Sequence, residues 1–138
     1  MVVIMVHWLI KKGFENEQAF EAAWKKMTIE PNTGLYRELL TRPVATEDPK
    51  FNTFSLTNTA YTTYINVGIW KDIESFDAAV SRYIQPSEMR KPLEGPKKDQ
   101  ELLAVYQNEW EFKIRERIVL NKLYDRKGAL EFPSADLS

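Results

Sequence analysis

Residues 2–10 (VVIMVHWLI) form an almost unbroken run of β-branched and aromatic side chains, stopped at once by Lys11, Lys12 and Gly13. A short apolar run ended by glycine predicts a strand covered on both sides, because a half-exposed strand would alternate apolar with polar residues. A strand of that kind obliges the rest of the chain to supply covering layers. Over residues 15–30 the period changes: Phe20, Ala23, Trp24 and Met27 fall at i, i+3, i+4 and i+7, one face of a helix. Asn16 is its expected N-cap, Glu21 and Lys25 an i,i+4 pair, and Pro31 its stop. Residues 31–34 (PNTG) read as a turn, and residues 35–42 as a second strand that Pro43 ends. Residues 60–70 (AYTTYINVGIW) read as a third strand, after which Asp72 caps a second helix that runs to Pro86. Ile73, Phe76, Val80, Tyr83 and Ile84 form the apolar stripe of that helix. Residues 110–120 alternate as a fourth strand, with Glu116 as an acidic interruption that suits a bulge, a charge pair or a buried acid.

The order β-α-β-β-α-β predicts an α+β, ferredoxin-like fold: a four-stranded antiparallel sheet, strands one and three at its centre, both helices on one face. That arrangement leaves the other face bare, and strands so apolar on both sides predict a homodimer formed through the sheet. Residues 1–124 are expected to form one domain, with residues 125–138 as a C-terminal tail or arm. Residues 45–59 are long for a hairpin connection and are expected to form an ordered flap anchored by Phe51, Phe54 and Leu56. Residues 85–108 are broken by Pro86, Pro92 and Pro96, with a short helix expected near residues 99–106.

Composition narrows the chemistry. The 138 residues contain no cysteine and one histidine, which rules out disulfides, thiolate nucleophiles, cysteine-held metals and multi-histidine sites. Nineteen basic against 20 acidic residues leave a net charge of −1, unlike a dedicated nucleic-acid binder. The basic residues of the last strand region, Arg115, Arg117, Lys122, Arg126 and Lys127, are diluted by acids at 109, 111, 116 and 125. The apolar N-terminal run has no basic region before it and no small-residue cleavage site after it, and no stretch suffices for a membrane span. Cytoplasmic location without nucleic-acid or membrane partners is the expectation. No Ser/His/Asp constellation, phosphate loop or dinucleotide fingerprint is present.

The third strand carries the most informative pattern. Thr63, Ile65, Val67 and Ile69 share one face, and Tyr64, Asn66, Gly68 and Trp70 the other. Asparagine is disfavoured inside strands and must find partners when buried. Glycine removes a side chain and lets something else approach the backbone. Gly68 is therefore expected to leave a gap walled by Asn66 and Trp70, suited to a flat aromatic ligand. The alternative is that Asn66 is hydrated at a strand end and Trp70 simply plugs the core.

The segment from Asn66 through Trp70 to Phe76 (NVGIWKDIESF) resembles the third-strand signature of the antibiotic biosynthesis monooxygenase family, whose members are dimeric α/β barrels with this element order. The resemblance covers residues 1–84 and extends to the last strand. It implies cofactor-independent oxygenation of a small aromatic or quinol-type substrate, with no metal or flavin. It also implies an active-site asparagine four positions before the tryptophan, which falls on Asn66 and Trp70, and an arginine from the second strand, for which Arg37 is the candidate. Tyr64, Gly68, Trp24, Phe76 and His7 complete the expected substrate-binding set. A sister branch degrades haem, but the axial histidine it uses has no counterpart after Ile84; the lone imidazole, His7, lies on the first strand. A non-catalytic dimer that binds a small ligand or acts as a regulator is the second reading, since fold does not fix function.

Overall fold

A computed structural model describes residues 1–27, 29–30, 33–44, 47–51, 60–80 and 113–137. The elements are β1 (Val2–Lys11), α1 (Phe14–Lys26), β2 (Leu35–Thr41), β3 (Tyr61–Trp70), α2 (Ile73–Val80) and β4 (Lys113–Asn121). They build one four-stranded sheet in the order β2-β3-β1-β4, every pairing antiparallel. This is the ferredoxin-like arrangement expected from the sequence, with the two most apolar strands at the centre. Tyr83, Ile84, Phe54, Leu56, Trp110, Phe112 and the expected helix at 99–106 lie outside the described residues. Phe51, expected to anchor the 45–59 flap, is exposed. Among the described residues no helix is long and apolar enough to cross a membrane.

Both helices cover the same face. Val2, Ile4, Val6, Trp8 and Ile10 of β1 point to it and are buried with Tyr64 and Trp70 of β3. Phe20 of α1 wedges between Trp8 and Tyr64, at ring-centroid distances of 5.2 and 5.0 Å. Phe76 of α2 meets Trp70 edge-on at 5.5 Å. These tilted and edge contacts suit the aromatic quadrupole better than a parallel sandwich.

Several local expectations are corrected. Gly13, not Asn16, holds the N-cap position of α1, with a φ of 142° and no side-chain cap. Glu21 turns inward and accepts the Tyr64 hydroxyl at 2.8 Å, where a surface pair with Lys25 was expected. Ile73, placed on the apolar stripe of α2, is exposed, while Ala79 joins Phe76 and Val80 in the core. Asp72 caps α2 as expected, its Oδ1 accepting the Ser75 N–H at 2.7 Å. Gly34 enters β2 at φ 88°, where a Cβ would fall 2.7 Å from Ser75 Oγ, so the turn packs directly on α2. β4 slips register between His7 and Trp8, Glu116 standing opposite His7 and Ile114 opposite Trp8, which makes the acidic interruption the site of a bulge.

The second face of the sheet is not uniformly bare. His7, Thr63 and Ile65 are buried at its middle, and Val3, Met5, Leu9, Val67 and Ile69 are half-buried around them. Residues 122–137 run without regular structure and are exposed throughout, including Leu123, Tyr124, Leu130 and Phe132.

Candidate functional site

On the helix side of the sheet lies a cavity of about 360 Å³, within the range of small-molecule sites. Val6 and Trp8 of β1, Leu35 of β2, Met27 after α1 and Val80 of α2 supply most of its apolar wall. The polar side is Trp24, Asn66, Glu38 and Arg37, and Ala135 and Leu137 reach it from the C-terminal segment. A second cleft of about 290 Å³ shares Trp24, Arg37, Glu38, Ala135 and Leu137, so the space continues beneath that segment.

Asn66 is the centre of the polar side. Only 6% exposed, it sits opposite Val6 on one side and Leu40 on the other. The Trp24 indole N–H donates to Asn66 Oδ1 at 2.8 Å, and Asn66 Nδ2 donates to Glu38 Oε1 at 2.8 Å. The indole can only donate and an ionised carboxylate can only accept, so the two partners fix which end of the amide faces which way. Glu38 stands opposite Gly68 across the β2–β3 ladder and reaches diagonally to Asn66, the two-residue offset that neighbouring strands allow. Burial pushes its carboxyl above the usual carboxylate range, and the Asn66 hydrogen bond offsets part of that rise.

The expected residues divide sharply. Asn66, Arg37, Trp24 and Phe76 line the cavity. Trp70, Gly68, Tyr64 and His7 do not stand among its lining residues. The gap expected at Gly68 is closed. A Cβ built there would lie 2.5 Å from Trp70 Nε1, so the indole of Trp70 folds back over its own strand and occupies the space glycine vacates. Trp70 is fully buried, and its N–H has no hydrogen-bond partner among the described residues. The plugged-core alternative therefore holds for Trp70, whereas Asn66 is buried and bonded rather than hydrated. Tyr64 is held by Phe20, Glu21 and Arg42, whose guanidinium lies 5.3 Å from the ring centroid. Burial, then the Glu21 carboxylate, push the phenol well above its usual ionisation range. His7 is fully buried on the opposite face of the sheet, opposite Ile65 and Glu116.

Arg37 is turned onto the C-terminal segment. Its Nη2 donates to the Pro133 carbonyl at 2.7 Å, and its guanidinium lies 4.4 Å from the Phe132 ring centroid. Glu38, Ala135 and Leu137 were not singled out from the sequence. For Glu38 a usable signal existed: an acid inside the apolar strand LYRELLT, on a strand expected to neighbour the one carrying Asn66. The two C-terminal residues carry no such signal.

No family model matches the chain, and no curated protein matches it. Its likeness to known proteins is structural. A dimeric ferredoxin-like protein from an uncultured marine organism superposes with a TM-score of 0.51 at 11% identity, over 91% of this chain and 99% of that one. HapK from Hahella chejuensis gives 0.49 at 15% identity, over 94% and 99%. SnoaB from Streptomyces nogalater, a cofactor-independent oxygenase, gives 0.37 at 18% identity, over 94% and 98%. The first of these supports the fold alone, a ferredoxin-like α+β sheet.

Proposed function

We propose that the cavity binds a small, flat aromatic of the anthrone or quinol type and oxygenates it without metal or flavin. The observation that carries this reading is the Asn66 amide, locked by Trp24 and Glu38 on the polar side of a cavity whose remaining walls are mostly apolar. Trp8, Trp24 and Phe76 offer aromatic contact for a ring system, and the resemblance around Asn66 supplies the reaction class. For an anthrone, the ring methylene becomes a ketone: its two C–H bonds break, the substrate loses four electrons and dioxygen gains four. One oxygen atom enters the new carbonyl and the other leaves as water with the two protons. The protein's share is to bury the ring, hold a polarised donor where negative charge develops on the deprotonated substrate, and exclude bulk water.

Asn66 is the oriented polar group, Trp24 sets its orientation, and Arg37 holds the C-terminal segment over the cavity. Trp70, packed on Gly68, serves the site by supporting β3. Oxygen uptake with dithranol, a dihydroxyanthrone, tests the reading. Asn66→Ala should lower the rate about 100-fold, the usual scale for losing one preorganised donor. An unchanged rate in Asn66→Ala rejects it.

The packing of Trp70 away from the cavity favours a second reading, a non-catalytic binder of the same aromatic ligand. Wild-type protein that binds dithranol in the dark but consumes no oxygen establishes that reading. We also infer a homodimer formed through the sheet. The half-buried Val3, Met5, Leu9, Val67 and Ile69 on its second face support this, as does the dimeric ferredoxin-like neighbour. Sedimentation equilibrium giving a monomer mass at micromolar concentration overturns it.

A further inference from the structure

The proton that an anthrone enol must lose needs an acceptor. Among the described residues Glu38 is the one carboxylate lining the cavity of about 360 Å³, Glu21 and Asp136 bordering only the adjoining cleft. We propose that Glu38 is that acceptor, so that the cavity selects flat aromatics bearing an acidic hydroxyl or enol, an inference that rests on the aromatic-substrate reading above. Asn66 cannot serve, because a carboxamide has no basic site of useful strength and both its ends are engaged by Trp24 and Glu38. Tyr64 cannot serve either, since it points its hydroxyl at Glu21 and stands outside the cavity lining.

Glu38 has the required geometry. Oε1 is held by the Asn66 amide at 2.8 Å, which fixes the plane of the carboxylate, and Oε2 has no partner among the described residues. Among those residues no cation pairs with it, since its neighbour Arg37 is committed to Pro133 and Phe132. A carboxylate left without a cation in an apolar cavity holds a proton more readily than one in water, as the upward shift of Glu38 reflects. The transfer is simple in its accounting. In the enol tautomer the O–H carries one of the two methylene hydrogens. That O–H bond breaks, its electron pair stays on the substrate oxygen, and the proton forms an O–H bond on Glu38, while the remaining C–H supplies the second proton of the water. The resulting anion is electron-rich enough to reduce dioxygen, and the proton returns to the water released when the ketone forms.

The test separates the two layers of the argument. Dithranol is titrated anaerobically into wild type, Glu38→Gln and Glu38→Asp, reading indole fluorescence for binding and visible absorbance for the ionised dihydroxyanthrone. Oxygen uptake is then measured on the same samples. Wild type should bind the probe as its anion. Glu38→Gln should bind it in the neutral form with oxygen uptake lowered about 100-fold or more, the scale of a lost general base. Glu38→Asp, which keeps a carboxylate and guards against a folding artefact, should restore part of the anion band. The same anion band in Glu38→Gln as in wild type, or wild type that binds only the neutral probe, overturns the assignment. An anion band without oxygen uptake leaves Glu38 standing as the acceptor and rejects the oxygenase reading instead. Wild type that does not bind dithranol at all overturns both.

Discussion

Asn66 and Trp70 stand four residues apart on one face of β3, yet one borders open space and the other fills it. At Asn66 the strand meets two committed partners, an indole donor from α1 and a carboxylate from β2, and their 2.8 Å bonds hold the amide at the cavity wall. At Gly68 the backbone is open on the same face, and the nearest large side chain, Trp70, turns back to occupy it. The difference shows how cavities persist in a protein interior. A missing side chain is apolar emptiness that the core closes wherever a neighbour can reach it, because unfilled space forfeits dispersion contacts. A polar group held by fixed partners cannot be moved so cheaply, and the space beside it stays open.

The largest way to break this contrast is to remove the plug. Trp70→Ala should cost about 3–5 kcal/mol, the range for truncating a fully buried aromatic. A urea denaturation midpoint that falls without a change in slope would register it. Next comes Gly68→Ala. Its Cβ would meet Trp70 Nε1 at 2.5 Å, so the indole must shift, at about 1–3 kcal/mol for overpacking. If the two residues share one space, the penalty of Gly68→Ala should largely vanish in a Trp70→Ala background, and a double-mutant cycle would show that non-additivity. Additive effects would mean that the indole and the glycine act independently.

On the polar side the effects are smaller. Trp24→Phe keeps the ring and deletes the donor, leaving Asn66 Oδ1 without its partner, for about 1 kcal/mol of stability. With only Glu38 left to orient it, the amide should also bind dithranol more weakly than in wild type. The Glu38 carboxylate should add a slope with pH. Its proton affinity is higher folded than unfolded, so the folded chain binds more protons between the ordinary glutamate value and the raised one, and stability falls as pH rises through that window. Glu38→Gln, which keeps the acceptor for Asn66, should remove that slope. Its stability advantage over wild type should be absent in acid and present at neutral pH.

Most of the scaffold was readable because it rests on periodicity. The apolar run of β1, the i, i+3, i+4 stripe of α1 and the Asp72 cap each dictate a local structure that tertiary packing then confirms. Asn66 was readable for a similar reason: an asparagine inside a strand has to be explained by partners. The meaning of Gly68 was not readable, because a glycine shows only that a side chain is absent and leaves open which neighbour takes the room. Asn16 failed as a cap because Gly13, three residues earlier, already turns the chain into the helix. Glu38 left a signal that went unused, an acid inside the strand LYRELLT, but the 133–137 contacts escaped because they depend on where a segment about 100 residues away comes to rest. No local pattern encodes that.

The smallest expected effect concerns the C-terminal segment and sharpens the contrast from its third side. Phe132 is 63% exposed, yet its ring receives the Arg37 guanidinium at 4.4 Å. An exposed cation–π contact is worth about 0.5–1 kcal/mol at most, so Phe132→Ala should scarcely move the denaturation midpoint. The segment itself should loosen around Phe132, where Arg37 would keep only its hydrogen bond to the Pro133 carbonyl. Limited proteolysis should therefore cut within residues 122–137 faster in Phe132→Ala than in wild type while leaving the sheet intact. Dithranol should also leave the cavity faster, since Ala135 and Leu137 border it. A faster cut with an unchanged release rate would assign the cavity's closure to the helices and Asn66 alone, and the C-terminal segment would then be a passenger on the β2 edge.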